Sequence, residues 1–197
     1  MRSPFRPLTE VAQELVAAAV QSGDTVVDAT AGNGHDTLFL AKQVGPDGHV
    51  FAFDVQQAAL ESTARRLRSF GLGHVTLLQA DHCQMATSLP AALRGKLAAA
   101  MFNLGYLPGG EKSITTQPNT TLIALQTAMT WLRPGGLITM LIYSGHATGK
   151  SELAVLLPFL GEPHPEFLIT EIDPQPERQH PPRLFAIQRR PFEETAH

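Results

Sequence analysis

The 197-residue chain has a single cysteine, Cys83. That excludes a disulfide framework and any multi-thiolate metal site. Charge is scarce too, at 17% of residues against roughly a quarter in an average domain. Its 15 Lys+Arg are outnumbered by 18 Asp+Glu, leaving a formal net charge of −3. Bulk charge therefore cannot hold nucleic acid, and any RNA or DNA partner must be gripped by a local patch or a pocket. Long apolar runs are missing: the longest, Leu137–Tyr143, is far short of the ~20 residues that span a bilayer. The start is basic but leads into Thr9-Glu-Val-Ala-Gln-Glu14, without the apolar core of a signal peptide. The expectation is a soluble, cytoplasmic protein with no membrane partner. Disorder is excluded in turn, because 43% hydrophobic residues can bury enough surface to offset the ordering entropy. With no linker or internal repeat in view, residues 1–197 read as one domain.

What is present is an alternation of helical and extended segments. Apolar residues at 8, 11, 12, 15, 16 and 19 predict a helix from Leu8 to Gln21, with Thr9 and Gln13 as capping candidates. Strands are expected at Thr25–Asp28, His49–Asp54 and Val75–Gln79, with helices at about His35–Val44 and Gln56–Phe70. The stretch Gly45-Pro-Asp-Gly48 stops the first of these helices. In the second half, Leu97–Asn103 reads as a strand by context, although its alanines alone favour helix. A helix at about Asn119–Leu132, a turn at Arg133–Gly136, a strand at Leu137–Tyr143 and a helix at Ser151–Leu160 follow. Two strands, Glu166–Ile172 and Arg183–Arg189, close the chain around a proline-rich loop. Such alternation implies an α/β fold, a mostly parallel sheet with helices on both faces. The last two strands, joined without a helix, imply one antiparallel strand at an edge. In these sheets ligands bind beyond the carboxyl ends of the strands. The candidates for chemistry are therefore Asp28, Asp54, Asp81, Asn103 and Tyr143.

The first glycine loop, Asp28-Ala-Thr-Ala-Gly-Asn-Gly34, leaves the first strand and opens a helix. Gly32 and Gly34 permit close backbone approach to a ligand, and the helix start offers free N–H groups. A dinucleotide fingerprint would need glycine where Thr37 stands. The pattern instead resembles the acidic strand end and glycine loop of S-adenosylmethionine-dependent methyltransferases, with acids at three successive strand exits. Asp28 would meet the methionine ammonium, Asp54 the ribose hydroxyls and Asp81 the adenine amine.

The second loop begins Asn103-Leu-Gly-Tyr106 and has the shape of [Asp/Asn]-Pro-Pro-[Tyr/Phe], with Leu104 and Gly105 in place of the prolines. That pattern suits methyl transfer to an amino nitrogen: an amide oxygen and a carbonyl accept the N–H bonds and an aromatic ring stacks on the base. Gly145-His-Ala-Thr-Gly-Lys-Ser151 imitates a phosphate loop, but Ser144 stands where the first glycine is required. His35, His82, His146 and Cys83 follow different strands without close ligand spacing, so no metal is expected. Arg65, Arg66 and Arg68 read as a solvated helix face. Lys112, Arg178 and Arg183 sit on loops able to reach the pocket.

Together, Asp28-Ala-Thr-Ala-Gly-Asn-Gly-His-Asp-Thr-Leu-Phe-Leu40, Phe102-Asn-Leu-Gly-Tyr-Leu-Pro-Gly-Gly-Glu-Lys112 and Tyr143-Ser-Gly-His146 resemble one family. It is the family of tRNA 5-(aminomethyl)-2-thiouridine-34 methyltransferases, formerly labelled ribosomal RNA methylases. The resemblance implies a Rossmann-like class I methyltransferase fold of seven strands, S-adenosylmethionine as donor, and the wobble uridine of tRNA, in its anticodon stem-loop, as acceptor. It also implies a homodimer. By position, Asn33, Asp36, Asp54, Gln56, Asp81 and His82 would line the cofactor, with Asp28, Gly32, Gly34 and Thr37 of the first loop. Asn103, Tyr106, Tyr143 and His146 would face the nucleotide. Without the resemblance, the residues alone leave open an amino methyltransferase for ribosomal RNA, DNA or a small molecule. They also leave open a non-catalytic module that binds S-adenosylmethionine or a nucleotide.

Overall fold

The computed structural model describes residues 6–107, 109, 114–145, 147–172 and 181–191. Of the candidates named above, His146, Lys112 and Arg178 lie outside these residues. The chain runs α1 (Leu8–Ala19), β1 (Thr25–Asp28), α2 (His35–Val44), β2 (His49–Asp54), α3 (Gln57–Ser69) and β3 (Val75–Gln79). After a 3-10 turn at His82–Gln84 come α4 (Met85–Ser88), β4 (Leu97–Leu104), α5 (Pro118–Trp131) and β5 (Leu132–Ile142). The last elements are α6 (Ala147–Gly161), β6 (Phe167–Ile172) and β7 (Arg183–Arg189). No helix among the described residues is long and apolar enough to cross a membrane.

All seven strands form one sheet in the order β3-β2-β1-β4-β5-β7-β6. Strands β1 to β5 pair in parallel, and β7 runs antiparallel to both β5 and β6. The antiparallel strand thus belongs to the edge pair. Within that pair it is the inner member, and β6 forms the edge. Composition explains the placement: Leu184, Phe185 and Ile187 of β7 are buried, whereas β6 alternates half-buried and exposed positions along most of its length. A strand flanked on both sides must be covered on both faces; an edge strand need not be.

Successive residues of the inner strands feed two separate cores. Val27, Ala100, Phe102 and Leu104 pack with α5 and α6 through Ala124, Leu125, Leu156 and Leu160. Val26, Ala99 and Met101 pack with α1 and α2 through Ala12, Val16, Leu40 and Val44. The alanines Ala98–Ala100 have no exposed surface. Squeezed between two helical layers, they form a strand against their intrinsic preference because tertiary burial outweighs it.

Two local features were not legible. Helix α4 spans four residues and ends two before Pro90, too short for its period to register. Helix α6 starts at Ala147, before the expected Ser151, running through Gly149, whose cost inside a helix is only about 1 kcal/mol. In the strand order, β1 and β4 are neighbours while the chain leaves them in opposite directions across the sheet. That reversal opens a crevice at their carboxyl ends, where ligands of such sheets sit.

Candidate active site

A cleft of about 1020 Å³ lies at those strand ends. The first loop contributes Gly32, Asn33 and Asp36, and the exit of β2 contributes Asp54 and Gln56. Asp81 and His82 enter after β3. Asn103 and Tyr106 follow from β4, and Tyr143 from β5. Three of the expected cofactor residues, Asp28, Gly34 and Thr37, do not line it.

Asp28 is 1% exposed, its Oδ1 accepting the Thr30 amide at 3.1 Å and its Oδ2 the Thr37 hydroxyl at 2.6 Å. The first turn of α2 carries Thr37 back over the carboxyl group, so the Thr37 hydroxyl and the buried Asp28 are hydrogen-bonded to each other. Gly34 caps α2 at φ +77, and a Cβ there would fall 2.8 Å from the Cα of Thr63. Its glycine is required by the close contact of the loop with α3. These three residues build the loop that Gly32 and Asn33 present.

Burial, reinforced by Asp36 and opposed by the Thr37 and Thr30 hydrogen bonds, lifts the Asp28 carboxyl from 3.8 to about 7. Between those values the native state holds a proton that the unfolded chain has released, so stability falls as pH rises through that window and levels off above it. Asp28→Asn removes the titration. Thermal unfolding of both proteins between about pH 4.5 and 7.5 should show the variant gaining on the parent as pH rises; two parallel curves would contradict the assignment.

Asp54 stands differently. Its Oδ2 accepts the Gly32 amide and its Oδ1 the Gln56 amide, both at 2.9 Å. Each oxygen keeps a second lone pair, so the carboxylate is fixed by backbone and still able to accept a diol. Asp81 caps the following turn by accepting the Cys83 amide at 2.8 Å. Burial pulls its carboxyl upward, but the Cys83 hydrogen bonds together with His82 and Thr120 outweigh that and hold it below the usual range. It is an ionised acceptor. His82, 6% exposed, points Nδ1 at the Ala29 carbonyl 3.2 Å away, and burial lowers its pKa, so it is a neutral imidazole pinning the exit of β1. Burial likewise raises the Cys83 thiol, which stays protonated and is no nucleophile.

Asp36 and Asn103 form the other group. Gln13 of α1 donates to Asp36 Oδ1 at 2.8 Å. Asn103 Nδ2 reaches Asp36 Oδ2 at 3.5 Å, a long contact that leaves the amide free to realign. The Asn103 main-chain N–H is held firmly by Thr30 Oγ1 at 2.8 Å, which ties the two loops together. Gln13 carries no cap on α1, which has none from a side chain; its role toward Asp36 has no local signal. Burial and the negative charge of Asp36 raise the Tyr143 phenol further, making it a donor rather than a base. Tyr106, 39% exposed, bridges to Thr115, while Gly105 gives its N–H to Thr116 Oγ1 at 3.0 Å and takes the Thr116 N–H at 3.1 Å. The two described ends of the second loop thus meet beside the cleft.

The basic residues also resolve. Arg66 is not merely solvated: its Nε donates to the Asn33 carbonyl at 2.8 Å and its Nη2 meets His35 Nε2 at 3.0 Å, bracing the first loop. Arg65 and Arg68 are exposed. Arg183 forms a two-pronged pair with Glu171 at 2.7 and 2.6 Å instead of reaching over the pocket.

Residues 50–188 match a sequence family described as "Putative rRNA methylase". A chloroplastic tRNA (mnm(5)s(2)U34)-methyltransferase of Arabidopsis thaliana is 45% identical over 160 residues, covering 77% of this chain and 58% of its own length. The chain therefore spans less than two thirds of that relative. Among solved structures, a Clostridium thermocellum protein described in the same words as the family is 40% identical with a TM-score of 0.88, covering 95% of this chain and 100% of that one. A Streptococcus mutans protein described as a "putative methyltransferase", solved in complex with SAH, is 31% identical with a TM-score of 0.82, covering 95% and 99%.

Proposed function

The chain belongs to the family matched over residues 50–188, and from that premise we propose that it is an S-adenosylmethionine-dependent N-methyltransferase. Its acceptor in this reading is the 5-aminomethyl group of 2-thiouridine 34 in tRNA, the position named for the Arabidopsis relative. The observation that carries the reading is the meeting in one cleft of two kinds of wall. Asp54 and Asp81 offer acceptors for a nucleoside, and Asn103, Asp36 and Tyr143 offer an amide, a carboxylate and a phenol for an amine.

The donor fits the residues present. Asp54 is held by two backbone amides with lone pairs to spare, and Gly32 has no atom within 3.4 Å of where a side chain would begin. Asp54 would take the ribose diol, Asp81 the adenine amine, and Gly32 with Asn33 the chain between. When bound, S-adenosylmethionine supplies an electrophilic methyl group. An alkylamine has an unperturbed pKa near ~10, by analogy with lysine, and arrives protonated. The Asp36 carboxylate attracts the cation and accepts its proton, directly or through water. Asn103 Oδ1 and the adjoining carbonyl orient the freed lone pair, which is what an in-line transfer requires. Tyr143 donates to Asp36 or to the uracil edge. Tyr106 stacks on the base.

Stacking of a base on an aromatic ring contributes about 1–3 kcal/mol. Tyr106→Ala should therefore raise KM for tRNA by about tenfold while Tyr106→Phe stays near the parent, with donor affinity unchanged in both. Steady-state assays with labelled donor check this, and an unaltered KM in Tyr106→Ala would remove the stacking role. The tRNA is engaged at its anticodon stem-loop in this reading, by a homodimer in the cytoplasm. Scattered basic residues on one chain favour a grip assembled from two copies.

A further inference from the structure

Behind the cleft, α6 carries an acid that is wholly out of water. Glu152 has no exposed surface, and its Oε1 lies 3.0 Å from Thr121 Oγ1. The same hydroxyl lies 3.4 Å from His82 Nε2, and His82 Nδ1 faces the Ala29 carbonyl at 3.2 Å. A chain of contacts thus runs from α6 through α5 to the exit of β1. Glu152 Oε2 has no hydrogen-bond partner among the described residues.

Counting protons decides how this chain is arranged. His82 Nδ1 faces a carbonyl, so it carries a hydrogen, and a neutral ring then leaves Nε2 bare. Thr121 has one hydroxyl proton for two neighbours. Given to the carboxyl, it leaves lone pair against lone pair toward Nε2. Given to Nε2, it requires the proton on the Thr121–Glu152 contact to come from Glu152. The second arrangement satisfies every contact without burying a charge. Asp81 Oδ1, 3.9 Å from the same ring nitrogen, is too distant to take a hydrogen bond. Burial raises the Glu152 carboxyl and lowers the His82 imidazole, and both favour the uncharged form.

We propose that Glu152 is a positioning residue, a neutral hydrogen-bond donor that sets the first loop of the cleft from behind. Through Thr121 it holds His82, and through His82 the Ala29 carbonyl of the first loop. The inference rests on the methyl-transfer reading, because its consequence is the alignment of amine and donor.

Glu152→Gln keeps a donor at the same place and Glu152→Leu removes it. For Glu152→Gln, kcat is expected within about threefold of the parent. For Glu152→Leu, kcat should fall at least about tenfold, with KM for tRNA unchanged. Thr121→Val, close in volume, should lose a similar factor, and the double variant little more, since both cut one path. Independently of tRNA, ¹⁵N NMR of the ring should show His82 as the neutral Nδ1–H tautomer in the parent and in Glu152→Gln, and a shifted signal in Glu152→Leu. A glutamine variant as inactive as the leucine one would overturn the neutral donor. A fully active leucine variant, or an unmoved His82 signal, would reduce Glu152 to packing. Absence of methyl transfer in the parent itself would defeat the proposed function, while the NMR result would still decide the arrangement of Glu152.

Discussion

Replacing Asp54 by asparagine should weaken S-adenosylmethionine binding by about 30- to 150-fold, the largest single effect on the donor side of the cleft. Hydrogen bonds to a charged group contribute about 1.5–3 kcal/mol each, and a diol makes two of them. Asparagine keeps one acceptor oxygen and loses the charge. It also sets an NH₂ against one of the two backbone amides, of Gly32 and Gln56, that Asp54 now accepts. The loss therefore combines a missing ribose contact with a loosened loop, about 2–3 kcal/mol in all. Titration calorimetry measures it directly. A dissociation constant within threefold of the parent would show that the β2 exit is not the ribose site.

Asn103→Ala is expected to act on the other side, lowering kcat by about 100- to 1,000-fold with donor affinity unchanged. Loss of one oriented group at a reacting centre costs about that much in related settings, because a displacement near 1 Å already slows reaction about 100-fold. The backbone of Asn103 stays anchored, since its N–H bonds Thr30 Oγ1 whatever the side chain, so the change removes the amide and little else. Single-turnover rates with saturating donor separate the step from binding. If kcat were unaltered and the donor still bound, the amine would have to be oriented by other groups, and the role given to the second loop would fall.

The two acids at strand exits show how far local pattern reaches. Asp28 and Asp54 carry the same signal, an acid ending a short apolar strand before a turn. Only one faces the cleft. The difference lies nine residues on, where Thr37 comes back over Asp28, while Asp54 meets only backbone amides and keeps its outer lone pairs. Alternation of apolar runs with Gly and Asp turns made the layered sheet, the loop positions and the site's location at the carboxyl ends readable. The inner place of β7 followed from its greater burial, a quantity visible only as a contrast with β6.

Residues that act across elements were not readable. Gln13 looks like part of an amphipathic helix, yet it is the firmest partner of Asp36. Arg66 reads as one of three exposed arginines and braces the first loop. Glu152 sits in a helix of ordinary pattern, and nothing nearby in sequence signals that α5 will bring Thr121 against it. Each depends on packing between segments more than twenty residues apart, which local periodicity does not encode.

The most direct test of methyl transfer to the wobble nucleoside is mass spectrometry of nucleosides from tRNA bearing 5-aminomethyl-2-thiouridine, after incubation with this protein and S-adenosylmethionine. Conversion to a species heavier by one CH₂ unit, retained on the 5-substituent on fragmentation, is expected. Unchanged nucleoside under conditions where calorimetry shows the donor bound would contradict the acceptor assigned here, leaving the fold and the donor site in place.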